Sequence, residues 1–190
     1  MNTIALALNS IINLTDEQFF QLCQANPDVR LERNDKGEVL VMPPTGWETG
    51  KRNTKITTRL NLWAEADGSG VAFDSSTGFK LPNGAARSPD AAWVKQERID
   101  AINPDPDNFL PLAPDFVVEL MSSSDSLEVV QVKMQEYQDN GVRLGFLINP
   151  QAQQVEIYRQ GQEKQILQSP STLLGENVLP GFVLSLQGIF

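Results

Sequence analysis

The stretch Pro114-Asp115-Phe116-Val117-Val118-Glu119-Leu120-Met121 constrains this chain more than any other. It is apolar almost throughout and reads as a buried strand. A carboxylate, Glu119, is set among the apolar residues. Side chains alternate along a strand, so residues 115, 117, 119 and 121 share one face. An unpaired charge buried there is strongly disfavoured. Glu119 therefore needs a cation, a partner or a metal ion. Ser88-Pro89-Asp90 stands at the mouth of an earlier expected strand and supplies a second carboxylate. Two carboxylates on adjacent strand ends are what a Mg²⁺ site for phosphate chemistry requires. Asp115 shares the face of Glu119 but reads as a strand-start cap.

Composition narrows the field. A chain of 190 residues predicts one domain, 1–190, with a sizeable core. Hydrophobic residues are 41% and charged ones 21%, which excludes a disordered or fibrous chain. No run of eighteen apolar residues occurs, so no membrane span is expected. The opening Met1-Asn2-Thr3-Ile4-Ala5-Leu6-Ala7-Leu8 lacks a basic segment and makes a poor signal peptide. Cys23 is alone, so no intrachain disulfide forms and the thiol-reducing cytoplasm fits. One Cys and no His exclude the common zinc sites and any histidine base. The net charge of -9 argues against bulk affinity for nucleic acid but leaves room for a local basic groove.

Periodicity and breakers sketch the elements. Thr15 followed by Gln18 is a capping box opening a helix with Phe19, Leu22 and Cys23 inward. Val29 to Arg33 and Glu38 to Met42 read as a hairpin around Asn34-Asp35-Lys36-Gly37. Residues 48–65 carry a helical pattern, Ile56, Leu60 and Trp63, closed by Gly68 and Gly70. Short strands are expected near 71–74, 78–81 and 90–95, then a Pro-rich loop at 103–107. The 115–121 strand follows, then a helix over 125–140 with Gly141 as C-cap, and a strand at 143–149. Late strands around Val155, Ile157 and 165–167 precede an apolar tail, Phe182 to Leu186, that offers a surface for a second copy.

On the 125–140 helix, Leu127, Val130, Met134 and Tyr137 form the face that packs on the sheet. Lys133 falls about 40° outside that stripe. From this border its stem can run along the sheet and its ammonium can reach Glu119, or can reach solvent without Glu119. The second possibility predicts that Lys133→Met spares folding. Lys51, Arg52, Lys55 and Arg59 cluster within about 100° of one helix face and are the local candidates for phosphate contacts. Trp47, Trp63 and Trp93 read as core or interface anchors.

Taken in order, these segments resemble a family. Ser88-Pro89-Asp90, then Pro114 to Ser122, then Lys133-Met134-Gln135-Glu136-Tyr137 and Gly141-Val142 are similar to the Uma2 family, formerly DUF820. Leu31-Glu32, Gly37-Glu38, Met42-Pro43-Pro44, Phe146 to Pro150 and Leu179-Pro180-Gly181-Phe182 extend the likeness. It covers roughly Thr15 to the C-terminus. The family is abundant in cyanobacteria and belongs to the PD-(D/E)XK restriction-endonuclease-like superfamily. The resemblance implies an α/β (α+β) fold, a central mixed sheet flanked by helices with an N-terminal helix and hairpin. It implies Asp90 as the motif aspartate, Glu119 as the (D/E) residue, Lys133 as a migrated motif lysine and Glu32 as an added acid. The chain departs from the family at Met121, where a Glu-x-Lys lysine would stand. No histidine lies in 46–53, and Val129 replaces a common aspartate.

The combined expectation is a Mg²⁺-dependent DNA endonuclease, with Mn²⁺ as a possible substitute, acting as a homodimer in the cytoplasm. Asp90 and Glu119 would hold the ion, and Lys133 would act on the phosphate. The alternative is a catalytically silent nucleic-acid- or protein-binding module that keeps the fold.

Overall fold

The computed structural model describes residues 3–8 and 11–190. The chain begins with β1 (Ile4–Leu6), α1 (Asp16–Ala25), β2 (Arg30–Arg33), β3 (Val39–Met42) and the long helix α2 (Trp47–Asp67). Next come β4 (Gly70–Asp74), β5 (Phe79–Lys80), β6 (Ala86–Arg87), β7 (Ala91–Lys95) and α3 (Gln96–Ile102). The second half holds β8 (Phe116–Leu120), α4 (Leu127–Asp139), β9 (Leu144–Asn149), β10 (Gln154–Arg159), β11 (Gln165–Gln168), β12 (Thr172–Leu174) and β13 (Val183–Ser185).

A mixed six-stranded sheet, in the order β11-β10-β9-β8-β7-β4, forms the centre. Only β8 and β9 run parallel within it. A parallel pair needs a crossover, and α4 provides it. Every residue of β8 is buried. Alternation divides the core in two. Phe116, Val118 and Leu120 pack with Ile56 and Leu60 of α2 and with Leu184, Leu186 and Ile189 near the C-terminus. Val117 and Met121 pack on the other side with Met134 and Tyr137 of α4. Glu119 belongs to this second side by the same alternation.

A second sheet, β1-β3-β2-β6-β5, is antiparallel throughout. It carries α1 on a small cluster around Phe19, Val39 and Ala86. Its strand β2 brings Glu32 toward α4.

Most expected elements form where the breakers put them. The Thr15 and Gln18 capping box is present in both directions. Asn34 folds the hairpin turn, its side-chain oxygen accepting from the N–H groups of Lys36 and Glu38. Gly68 ends α2 at φ 71, and Gly141 follows α4 at φ 98. Both angles lie in the left-handed region that glycine enters freely. The strands β1 and β6 and the helix α3 go beyond the expectation. Two- and three-residue strands carry no readable period; their pairing with β3 and β2 makes them strands.

One expectation fails. The apolar tail is no free surface for a second copy. Phe182, Leu184 and Leu186 are buried against α2 and the sheet, and Arg59 of α2 donates to the Ser185 and Gln187 carbonyls. The tryptophans also divide. Trp93 is core and Trp63 packs on Trp93 and Phe182, whereas Trp47 is 76% exposed.

Candidate active site

The pairing of β7 with β8 brings the two carboxylates together. Ala91 stands opposite Val118, and Ala92 opposite Val117. Asp90 directly precedes β7 and Glu119 directly follows Val118, so the continued register would bring the two level. Directly opposed residues share a face, with Cβ atoms about 5 Å apart. Asp90 Oδ2 accepts the backbone N–H of Leu120 at 2.8 Å. Asp90 Oδ1 accepts from the Asn53 amide of α2 at 3.0 Å.

Helix α4 supplies what faces Glu119. Lys133 Nζ lies 2.8 Å from Glu119 Oε1. One turn on, the Tyr137 hydroxyl donates to the same oxygen at 2.9 Å. Both donors sit on Oε1, so Oε2 is the oxygen left for a cation. Lys133 also reaches Glu32 Oε1 at 3.0 Å. Glu32 further accepts from Arg87 at 3.2 Å and from the Ser88 N–H at 3.1 Å. Arg87 in turn meets Glu136 of α4 at 2.6 Å. Asp90, Glu119, Lys133 and Glu32 thus converge, although they come from the approach to β7, two other strands and a helix.

Charge is unequally shared. Burial would raise the Glu32 pKa, but Lys133, Arg87 and Arg30 outweigh it and hold Glu32 at about 2. The cation beside Glu119 is Lys133. Burial pushes its pKa up to about 7 against Lys133, helped by the charges of Asp90 and Glu32. Asp90 is raised as well, by burial. Lys133 loses by burial but gains more from Glu119 and Glu32, so its pKa is raised and it stays protonated. It can donate or hold charge; it cannot serve as a base near neutral pH.

Several sequence expectations change here. Lys133 does not look out to solvent from the helix border; its side chain is 13% exposed and clamped by two carboxylates. Glu32, the added acid, is buried at 1% exposed. Asp115 lies at the other end of β8, accepting the Lys95 N–H and pairing with Arg98. The phosphate candidates separate too. Arg59 is spent on C-terminal carbonyls, Arg52 and Lys51 flank Glu48, and Lys55 runs beside Gly188.

Three partners were not singled out for the site by sequence reasoning. Tyr137 stands on the packing face, as its helical phase predicts, and its hydroxyl reaches Glu119, which the phase does not indicate. A tyrosine one turn after a lysine on a sheet-facing stripe was the available signal. Arg87 directly precedes Ser88-Pro89-Asp90, and that adjacency is its signal as a cation beside an acid. Nothing in the sequence marks Asn53. Tyr137→Phe is expected to lower stability by about 1 kcal/mol, because Glu119 loses one buried donor and keeps Lys133. Urea unfolding of both proteins measures this.

Asp90 and Glu119 are the groups here that could hold a hard divalent cation. Among the described residues no three His, Cys, Asp or Glu side chains cluster as a metal cage. The offer is two carboxylates, and Asn53 adds a buried side-chain oxygen without a hydrogen-bond partner. One or two carboxylates completed by water is the set Mg²⁺ favours.

A family model described as "Uma2: Putative restriction endonuclease" matches residues 16–187. The chain belongs to the Uma2 family. The restriction-endonuclease-like group to which Uma2 is assigned generally uses divalent metals. Among solved structures, the chain is similar to a crystal structure from Anabaena variabilis ATCC 29413, titled a "putative nuclease belonging to DUF820". The two are 20% identical, with a TM-score of 0.77 over 93% of this chain and 97% of the other. That likeness shows a shared fold, consistent with the restriction-endonuclease description of the family. A search of curated proteins finds no match. No helix among the described residues is long and apolar enough to cross a membrane.

Proposed function

We propose that this Uma2 protein is a Mg²⁺-dependent DNA endonuclease that hydrolyses phosphodiester bonds, with Mn²⁺ able to replace Mg²⁺. One observation carries the reading: Asp90 accepts the Leu120 N–H beside Glu119, its charge acts on Glu119, and Glu119 carries a protonated lysine. Asp90 and Glu119 Oε2 would hold the ion. When bound, the cation polarises a phosphodiester and eases deprotonation of water.

The chain's own groups account for the rest. Tyr137 and Lys133 fix Glu119 by one oxygen, so the other keeps its direction. Asn53 and the Leu120 N–H fix Asp90 in the same way. Lys133 brings a permanent positive charge to where a phosphate oxygen gains negative charge, which is most effective in a site shielded from water. Glu32 is ionised at any working pH and anchors that ammonium. Its role is to position Lys133, and it contributes to the reaction through that residue.

Plasmid nicking with Mg²⁺ and with Mn²⁺ tests the reading. Asp90→Asn and Glu119→Gln are expected to cut at least roughly a hundredfold more slowly than the wild type. Cleavage that survives both substitutions would point to a contaminating nuclease. A wild type that cuts neither duplex nor single-stranded DNA would favour the silent binding module.

A further inference from the structure

Strand β2 turns its side chains two ways. Leu31 and Arg33 face α1, where Leu31 packs on the Phe19 cluster and Arg33 pairs with Asp16. Arg30 and Glu32 share the other face by alternation. From that face Glu32 anchors Lys133 and accepts the Ser88 N–H at 3.1 Å. Arg30 takes the other end of the same residue: its Nη2 donates to the Ser88 carbonyl at 2.6 Å. That carbonyl leads through Pro89 into Asp90. The guanidinium therefore lies on the Asp90 side of Glu32. Electrostatics agrees. Burial raises the Asp90 pKa, and the Leu120 N–H and then the charge of Arg30 draw it back.

The cations around the site differ in how they are occupied. Lys133 serves Glu119 and Glu32, and Arg87 serves Glu32 and Glu136. Among the described residues Arg30 has no ion pair, and its contact with Ser88 uses one of five N–H donors. Its Nε is buried and has no hydrogen-bond partner. A buried donor left unmet is destabilising, so it calls for an acceptor from outside the chain. Asn53 Oδ1, on the residue that holds Asp90, is buried and unmet as well. Both atoms belong to groups that flank Asp90. A guanidinium offers a planar fork of donors that fits two oxygens of a phosphate. With Lys133 on Glu119 and Arg30 on the Asp90 side, each carboxylate of the pair has a cation beside it.

We propose that Arg30 is a phosphate-binding residue of the site, its guanidinium taking non-bridging oxygens of the DNA phosphate that enters beside Asp90. This deepens the nuclease reading and rests on it. A phosphate is the same beneath every base, so the contact adds affinity without adding sequence preference.

The test reads binding in EDTA, where no metal-dependent cleavage occurs. Labelled duplexes of two unrelated sequences are titrated with the wild type, Arg30→Gln and Arg30→Lys over a range of KCl concentrations, with fluorescence anisotropy as the readout. Arg30→Gln removes the charge and keeps a side-chain donor. It is expected to weaken both duplexes by the same factor, roughly tenfold at low salt, and to reduce the slope of log affinity against log salt by about 0.9, the share of one phosphate contact. Arg30→Lys should keep the slope, since the charge stays, and lose part of the affinity with the fork. Melting curves with and without Mg²⁺ accompany the titrations. The rise with Mg²⁺ should survive both substitutions, because Arg30 holds no ion.

An unchanged salt slope in Arg30→Gln would overturn the proposal. So would a loss that differs between the two sequences, which marks a base contact, or a wild type that binds neither duplex. Loss of the Mg²⁺ response with the slope intact would overturn it in favour of an Arg30 that positions Asp90. Should Arg30→Gln not fold, Arg30→Lys decides alone: an equal loss of affinity for both duplexes supports the contact, and no loss overturns it. Failure of the two readings is separable. A reduced slope without cleavage under any metal keeps the phosphate contact and removes the nuclease. Cleavage with a slope indifferent to Arg30 does the reverse.

Discussion

Lys133→Met is expected to destabilise the fold by about 3–5 kcal/mol, besides removing metal-dependent cleavage. The reason is the number of charges left behind. One ammonium serves Glu119 at 2.8 Å and Glu32 at 3.0 Å, and both carboxylates are buried. Methionine matches the stem but supplies no charge, so Glu119 keeps only the Tyr137 hydroxyl. Glu32 fares better, since Arg87 and the Ser88 N–H remain. The loss therefore falls mainly on Glu119. Lys133→Met combined with Glu119→Gln should recover part of the stability, giving a clear coupling in a double-mutant cycle. For a chain of this size the single variant should melt on the order of 10 °C lower. Urea unfolding of the four proteins measures the cycle. A Lys133→Met protein within about 0.5 kcal/mol of the wild type would mean that the ammonium is not committed to these carboxylates.

The border position of Lys133 also shows where sequence reasoning stops. Helical phase put Lys133 near the sheet and allowed contact with Glu119, which the structure contains. Phase alone could not tell a buried ammonium from a solvated one. That depends on a second sheet, whose strand β2 closes over α4 and delivers Glu32. The hairpin itself was legible from Asn34 to Gly37, because turn chemistry is local. Its docking was not, because β6 has two residues and no pattern of its own. The same distinction separates Asp90 from Asn53. Asp90 announces itself after Ser88-Pro89 at a strand mouth. Asn53 is one polar residue among several on a long helix, and only the packing of α2 on the sheet brings it to Asp90. The apolar tail failed for a related reason. Alternating hydrophobic residues announce burial against something, but composition cannot say whether the cover is another chain or this chain's own α2.

Without divalent ions, stability is expected to fall as pH rises from about 4.5 to about 7. Glu119 has an ordinary pKa of 4.5 when unfolded and about 7 when folded. Between those values the folded protein binds the proton more tightly than the unfolded chain, so adding protons favours folding and removing them opposes it. At about 1.4 kcal/mol per pH unit, that interval amounts to about 3 kcal/mol. Asp90 is raised from 3.8 and acts in the same direction. Glu32 acts oppositely, with a folded value of about 2. Its stabilisation is complete above 4.5 and is lost as pH falls toward 2. The metal-free protein should therefore melt highest near pH 4 to 5, a mildly acidic optimum set by the crowded carboxylates. Mg²⁺ or Mn²⁺ changes the profile at its neutral end. A cation between Asp90 and Glu119 replaces the missing proton, and at a hundred times its Kd it adds about 2.7 kcal/mol. At pH 5 the ion must displace a proton first, so its effect there should be smaller. Melting curves from pH 4 to 8, with EDTA and with each ion at millimolar concentration, display both trends. Glu119→Gln should flatten the metal-free slope and remove the response to the ion together. A wild-type melting temperature unmoved by either ion at neutral pH would reject the site, and a flat slope in EDTA would reject the crowding that defines it.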